Sequence, residues 1–257
     1  PGFLTVGNLS SLLLNNFVLL AIVAIGMTYA IAAGGIDLSV GTALDFSALT
    51  FVLLLNAGFG LYVAIPGGLL AGSLAGLFNA GLIAGLRISP FLATLGTLFI
   101  GSSVQKLLSD GGQPIYLEAQ VRSGLASERL LGVPLPLLLV ALLALVYGVV
   151  LARGRLGREI IVLGSQPLVA RYSGLAQRRI AALVFIASAF ASALAGILLP
   201  ATVNAYAPMS GNAFLMNAIG AVFIGATLSL HNRVNVPGTL LGVLFLNVTA
   251  NGLLLIG

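Results

Sequence analysis

Apolar segments of about 20 residues recur along the whole chain, and their length constrains the fold more than any other feature. A hydrocarbon core about 30 Å thick requires about 20 apolar residues for each helix that crosses it. Because 59% of the residues are hydrophobic and 7% are charged, too little polar surface remains to cover a soluble globule. We therefore predict an all-α integral membrane protein. We count about eight such segments, at roughly residues 12–33, 39–56, 61–86, 90–108, 135–152, 180–203, 214–230 and 238–257.

The basic residues are concentrated in one connection, and this predicts the orientation of the chain. Six of the eleven Lys and Arg residues lie within residues 153–179, between two apolar segments. Short connections rich in Arg stay in the cytoplasm. Alternation of the spans then places Arg87 and Arg233 inside as well, and the mixed-charge connection 109–134 outside. Since topology explains the net charge of +5, we expect no nucleic-acid partner.

The residues of common catalytic and metal sites are missing from the sequence. There is no cysteine, and His231 is the one histidine. This excludes thiolate metal ligands, cysteine nucleophiles and clusters of histidines. The sequence also lacks a phosphate-binding glycine loop with its lysine and a serine nucleophile motif. We therefore expect a chain that is not an enzyme.

Two glycines, a carboxylate and a hydroxyl interrupt the apolar region in the first quarter of the chain. A break between two helices is predicted at these residues, which are Gly34, Gly35, Asp37 and Ser39. A carboxylate at membrane depth costs about 2.5 to 3.5 kcal/mol on insertion scales, so Asp37 should face protein, water or a helix end. Two interpretations stay open: Asp37 or Ser39 caps the next helix, or this segment lines a translocation path.

Further polar residues lie at or near membrane depth. Asp45 shares a helical face with Thr42 and, without a cation beside it, should be protonated or hydrogen-bonded. Asn79 is a candidate for the translocation path or for a hydrogen bond between helices. Lys106 lies close enough to the outer end to extend its ammonium group into water.

Small residues at four-residue spacing form stripes on two of the predicted helices. Such stripes allow close approach of helix backbones in a membrane. Packing within one bundle and a seam between two copies of the chain both fit this pattern. The stripes are Gly68, Gly72, Gly76 and Ala80 on one helix, and Ser188, Ser192 and Gly196 on another.

The Arg-rich connection contains the signals of a short helix outside the membrane. Ser165 is a candidate cap, Pro167 suits the first turn and Gly174 suits the end, which predicts a helix of about two turns. From the residues alone this helix is either a docking surface or a solvated loop whose arginines fix the topology.

Four motifs together resemble the ribose/xylose-type permeases of bacterial ATP-binding cassette (ABC) importers. They follow one another in the order of that family and extend over nearly the whole chain. The motifs are GMTYAIAAGGIDLSVG (26–41), SPFLATLGTLFIGSSVQKLLSDGGQPI (89–115), GREIIVLGSQPLVARYSGL (157–175), and AIGAVFIGATLS (218–229) followed by PGTLLGVLFLNVTANGL (237–253).

The resemblance implies a type II-like permease of the inner membrane, with about ten helices of which the first and last lie outside this sequence. Residues 1–257 would form one transmembrane domain, and residues 153–179 its cytoplasmic coupling loop. The implied partners are ABC ATPase subunits, an external solute-binding protein, and a second permease copy or paralogue. ATP and Mg²⁺ would be bound by the ATPase, with no cofactor in this chain. The residues implied in coupling are Ser165, Gln166, Pro167, Ala170, Arg171, Tyr172 and Gly174.

The expected function is translocation of a monosaccharide-like solute. A permease for branched-chain amino acids or for a furanose-like signal molecule is an alternative, and an ion-coupled secondary transporter is another. The chain departs from the family pattern at residues 230–236, where a glycine-rich turn is usual, and at Pro167, where a polar residue is usual. Both departures affect the expected choice of partner.

Overall fold

The structure, a computed structural model, describes residues 5–118, 125, 128–130, 132–229 and 232–256. The departure from the family pattern at Leu230 and His231 lies outside these residues. The elements in chain order are α1 (Val6–Ser11), a π-helical segment (Leu12–Phe17), α2 (Val18–Ala32), α3 (Val40–Asn56), α4 (Leu61–Ala80), a second π-helical segment (Gly81–Gly85), α5 (Pro90–Leu108), β1 (Ile115–Tyr116), β2 (Arg129–Leu130), β3 (Val133–Pro134), α6 (Leu135–Arg153), α7 (Arg155–Ser165), α8 (Pro167–Tyr172), α9 (Gln177–Val203), β4 (Ala205–Tyr206), α10 (Asn212–Thr227) and α11 (Val236–Ile256).

Eight apolar helical stretches make up the body of the molecule. Within the described residues, six of them are long and apolar enough to cross a membrane, and α3 and α10 are shorter apolar helices. The prediction of an all-α, multi-span membrane protein is confirmed. The first stretch begins several residues earlier than predicted, because α1 and the π-helical segment continue directly into α2.

Helix α2 is the centre of the bundle. Every residue from Val18 to Ala30 is buried, and α2 packs against α6, α9, α10 and α11. A helix that is apolar on all sides has no face to present to water and is stable where other helices surround it. These four helices therefore enclose α2, while α3 and α4 pack against each other and against α9.

The small-residue stripes bring α3, α4 and α9 into close contact. A Cβ atom on Gly72 would lie 2.5 Å from the Cβ of Ala193 and 2.6 Å from the carbonyl oxygen of Ala43. A Cβ on Gly76 would lie 2.6 Å from the Cβ of Ala189. The predicted packing of the stripes within one bundle is confirmed, since glycine permits these backbone approaches.

Short strands mark one end of the bundle and the arginine-rich helices mark the other. β1 pairs with β4 in antiparallel register, with Ile115 opposite Tyr206, and β2 pairs with β3. α9, with 27 residues, extends about 40 Å at 1.5 Å per residue and separates β4 from α8. With the orientation predicted from the charges, α7 and α8 lie on the cytoplasmic side.

Candidate functional site

The predicted helix break lies between the end of α2 and the start of α3. Gly34 has φ of +81°, a conformation that favours glycine, and its N–H donates to the carbonyl of Ile31 at 3.0 Å. Gly35 donates to Ala30 at 2.9 Å. A Cβ on Gly34 would lie 3.1 Å from the Cα of Gly164. The helix break therefore contacts α7, on the side of the Arg-rich connection.

A chain of hydrogen bonds joins the helix break to α4 and α5. Asp37 Oδ1 accepts from the N–H of Ser39 at 2.9 Å and from its hydroxyl at 2.6 Å. Asn79 Nδ2 donates to Ser39 Oγ at 2.7 Å, and Thr97 Oγ1 donates to Asn79 Oδ1 at 2.6 Å. Asp37, Ser39 and Asn79 have no exposed surface. Asn79 thus makes the interhelical hydrogen bonds that its sequence position allowed.

Of the two residues predicted to cap α3, Asp37 accepts the backbone N–H of Ser39 just before the helix, whereas the caps predicted at Ser39 and Ser165 differ from the structure. Ser39 occupies the position before α3, but its side chain makes no capping hydrogen bond to the helix backbone, because the hydroxyl donates to Asp37 instead. Ser165 was predicted to cap the short cytoplasmic helix. It is the last residue of α7, and its hydroxyl donates to the carbonyl of Ile161 at 2.7 Å.

Asp45 and Gln105 hold residues 206–211, which connect β4 to α10. Asp45 Oδ1 accepts from the hydroxyl of Ser210 at 3.0 Å and from the N–H of the following residue at 2.9 Å. Gln105 Oε1 accepts from the N–H of Met209 at 2.7 Å. The prediction that Asp45 is hydrogen-bonded is confirmed. The role of Gln105 was not predicted, since its partner lies about a hundred residues away in the chain.

The proposed coupling residues form a compact surface of α7 and α8. Ala170 is fully buried and fixes α8 to the molecule, while Pro167 stands at the first turn of that helix. Gly174 has φ of +70° where α8 has ended. The other residues predicted for coupling are exposed: Ser165, Gln166, Arg171 and Tyr172.

Apolar side chains of α8 also face solvent. Leu168 is 67% exposed, Val169 is 48% exposed and Tyr172 is 86% exposed. Exposed apolar residues beside a basic residue, here Arg171, are typical of a surface that binds another protein. α7 itself was not predicted, because its charged face interrupts the apolar pattern by which the spans are recognised.

A cleft lined by carboxamides lies at the other end of the bundle, near the C-terminus of α9. Its volume is about 560 Å³, and four helical stretches line it. Its polar side chains are Asn16, Thr202, Asn217 and Asn247. The rest of the lining is apolar or small: Leu19, Leu20, Leu199, Val203, Ala213 and Phe214. We call this cavity the amide cleft.

The polar groups of the amide cleft are only partly used within the protein. Asn217 and Asn247 donate through Nδ2 to carbonyl oxygens of their own helices, at 3.4 and 3.0 Å. Thr202 donates to the carbonyl of Leu198 at 3.0 Å. In the described part of the chain, no group donates a hydrogen bond to the carboxamide oxygen of Asn217 or of Asn247. These acceptors are available to a molecule in the cleft.

Comparison with known protein families gives the class of the molecule. The model of a family described as "branched-chain amino acid transport system / permease component" matches residues 9–257. The chain belongs to this permease family. It is a multi-pass permease of the inner membrane and the membrane subunit of an ABC importer. A permease of such a system works with an ATPase and a solute-binding protein.

Curated relatives of the permease carry a more specific name. The chain is 33% identical over 253 residues to the autoinducer 2 import system permease protein LsrD of Yersinia enterocolitica, covering 95% of this chain and 75% of the relative. It is 34% identical to the LsrD protein of Yersinia pseudotuberculosis, covering 95% of this chain and 74% of the relative. No solved structure matches the chain.

Proposed function

We propose that this permease translocates an uncharged, polyhydroxylated solute of furanose-like type, and that the amide cleft is part of the path. The observation that carries the proposal is the chemistry of the cleft lining. All ten lining residues are uncharged, and four of them offer carboxamide or hydroxyl groups. Convergent polar groups on an apolar wall are typical of sites for small molecules. The likeness to autoinducer 2 permeases supports the same solute class.

The lining of the amide cleft suits hydroxyl groups better than an amino acid. A carboxamide both donates and accepts hydrogen bonds, and it can therefore pair with hydroxyls in either sense. The zwitterionic head of an amino acid needs charged or strongly dipolar partners once it leaves water. Asn16, Asn217 and Asn247 provide neutral amides only. A branched-chain amino acid, which the family description suggests, is the second candidate.

The helix break and its hydrogen-bonded chain have a different role in this proposal. Asp37, Ser39, Asn79 and Asp45 have no exposed surface. They hold the ends of α3 and α10 in place, and Gly34 and Gly35 allow the chain to turn against α7. Movement of α7 would be transmitted to α3 through these contacts.

The proposed partners follow from the two ends of the molecule. An ATPase subunit binds the α7–α8 surface through Leu168, Arg171 and Tyr172, and the ATPase subunits bind the ATP and Mg²⁺. A solute-binding protein delivers the solute to the opposite end. A second permease copy or a paralogue completes the membrane part. This chain itself catalyses no reaction and binds no nucleotide.

Comparing the uptake of different solutes by the complete system tests the proposed solute class. Membrane vesicles containing the permease, its ATPase and its binding protein are supplied with ATP and with labelled autoinducer 2, ribose or leucine. We expect uptake of a furanose or pentose and no uptake of leucine. Uptake of leucine alone would contradict the proposal and favour the amino-acid candidate.

Substitutions in the amide cleft test whether it belongs to the path. Asn217→Leu and Asn247→Leu remove hydrogen-bonding groups worth about 0.5 to 1.5 kcal/mol each, so uptake at low solute concentration should fall severalfold for either variant. Met216→Leu is the matched control, because Met216 neighbours Asn217 on α10, is 71% exposed and does not line the cleft. Equal uptake by all three variants and the unchanged protein would exclude the cleft from the path.

A further inference from the structure

A second groove lies between the N-terminal turns of α7 and α9, at the arginine-rich end of the bundle. Its volume is about 510 Å³. Charged side chains line it from both helices: Arg155 and Glu159 from α7, and Arg179 from α9. The rest of the lining is Leu156, Gly174, Leu175, Ala176, Ile180 and Leu183. We call this cavity the headgroup groove.

The headgroup groove is lined by two arginines and one glutamate, and only one of the arginines is ion-paired. Arg155 Nε and Glu159 Oε1 form an ion pair at 2.9 Å, with the arginine side chain 88% exposed and the glutamate side chain 23% exposed. Within the described residues, Arg179 has no carboxylate within 4.0 Å. The groove therefore offers the guanidinium of Arg179 for an anion, and it offers for a cation the second oxygen of Glu159, Oε2, which accepts no hydrogen bond within the described residues. A ligand that carries a phosphate and an ammonium group would satisfy both.

The apolar part of the headgroup groove extends towards the membrane interior. Ile180 and Leu183 are three residues apart and therefore lie on one face of α9. Leu183 is six residues from the start of α9 at Gln177, or about 9 Å deeper along the helix axis. It is 40% exposed. A soluble protein docked on α8 would not reach this depth, whereas an acyl chain of the adjacent leaflet would.

We propose that the headgroup groove binds a phospholipid with a primary ammonium headgroup, of the phosphatidylethanolamine class. The lipid phosphate pairs with Arg179, the ammonium group donates to Glu159, and an acyl chain lies against Leu183. Basic pockets between membrane helices on the cytoplasmic side bind lipid headgroups in this manner. The lipid would join the base of α9 to α7 and so stiffen the segment that carries α8.

Lipid titration followed by native mass spectrometry tests this site directly. The full permease chain in detergent is titrated with phosphatidylethanolamine, phosphatidylcholine and phosphatidylglycerol, and with soluble O-phosphoethanolamine. We expect phosphatidylethanolamine to bind best, because phosphatidylcholine lacks N–H donors and phosphatidylglycerol lacks the cation. O-Phosphoethanolamine should bind much more weakly, since it cannot use the apolar wall. Equal binding of all three lipids, or full binding of the soluble headgroup, would overturn the proposal.

Neighbouring arginines provide a matched pair of variants. Arg179→Gln should weaken phosphatidylethanolamine binding about tenfold, as expected for loss of one charge-assisted contact. Arg178→Gln should leave it unchanged, because Arg178 is exposed and does not line the groove. Glu159→Gln should remove the preference for phosphatidylethanolamine over phosphatidylglycerol. Equal losses for Arg178→Gln and Arg179→Gln would show that only the net charge matters and would contradict the site.

Copurification of the ATPase separates this site from the coupling surface. In the complete complex, Arg179→Gln should release the lipid and leave the ATPase bound. Loss of the ATPase together with retention of the lipid would show that the partner protein occupies the groove, and would overturn the proposal.

Discussion

Buried polar residues determine how the ends of the helices in this permease are fixed. Asp37, Ser39 and Asn79 have no exposed surface, and each is hydrogen-bonded to another side chain. A polar group buried without a partner costs about 1 to 3 kcal/mol. The hydrogen-bonded chain from the helix break to Thr97 therefore makes the position of α4 and α5 depend on a few side chains.

Asn79→Ala tests the importance of this chain. The substitution leaves the hydroxyls of Ser39 and Thr97 without their bonds to the amide, and we expect it to lower the free energy of unfolding by about 1 to 3 kcal/mol. A thermal melt in detergent measures the effect. Ser103→Ala is the control, since its hydroxyl is exposed and bonds only to Phe99 of its own helix at 3.1 Å. Equal melting temperatures for the two variants would contradict this role of Asn79.

The sequence could predict some of these residues and not others. Gly34, Gly35 and Asp37 stand out because they interrupt an apolar segment, and this pattern is local. Gln105 gives no such signal, because its partner is the backbone N–H of Met209, which only the packing of α5 against residues 206–211 brings near. Ser39 was one of two candidates for the cap of α3, but its hydroxyl donates to Asp37 instead.

The apolar helices could be predicted well, because the thickness of the bilayer fixes their length. The helices of the Arg-rich connection are a different case. The short helix α8 was expected from Pro167 and Gly174, but α7 was not, since Arg158 and Glu159 interrupt its apolar residues. α7 is stabilised by its buried face, which includes Ile160, and it contacts the helix break.

Gly164→Ala tests the contact between α7 and the helix break. A Cβ at residue 164 would overlap the carbonyl oxygen of Ala32 and lie 2.8 Å from the N atom of Gly34. Because backbone atoms cannot yield easily, we expect a loss of about 1 to 3 kcal/mol in stability, together with reduced solute uptake. The control is Gly96→Ala on α5, where a Cβ would meet nothing within 4 Å. A variant at residue 164 as stable and active as this control would contradict the contact.

Arg171→Glu tests the assignment of α8 as the coupling helix. Arg171 is exposed and lies beside the apolar side chains of α8, so reversing its charge should weaken ATPase binding by about 1 kcal/mol, or roughly fivefold. Stimulation of the ATPase by the permease should fall while membrane insertion stays normal. Lys106→Glu, at the opposite end of the bundle, should have no effect. Normal stimulation with Arg171→Glu would count against the coupling assignment.

The arrangement of the whole molecule produces the two cavities, and the sequence does not predict either of them. The polar residues of the amide cleft lie on four helical stretches, and only the packing of α9, α10 and α11 on the first stretch brings them together. Arg179 and Glu159 are likewise brought together by the approach of α7 to α9. The family resemblance predicted a permease, but the positions of these side chains depend on the packing.

The two ends of the permease differ in chemistry, as expected for a protein that works in one direction. The amide cleft is neutral and lies near the end that carries β1 and β4. The surface of α7 and α8 is basic and apolar, and it lies at the end predicted to face the cytoplasm. We infer that the solute enters at the neutral end and that energy is supplied at the basic end.

Uptake by purified components tests this account most directly. The permease is reconstituted in liposomes with its ATPase and its solute-binding protein, and accumulation of labelled solute is measured with and without ATP. We expect accumulation that requires ATP and the ATPase together and that Asn217→Leu reduces. Accumulation driven by a proton or sodium gradient, in liposomes that contain the permease alone, would contradict the assignment as an ABC importer subunit. It would identify an ion-coupled secondary transporter instead.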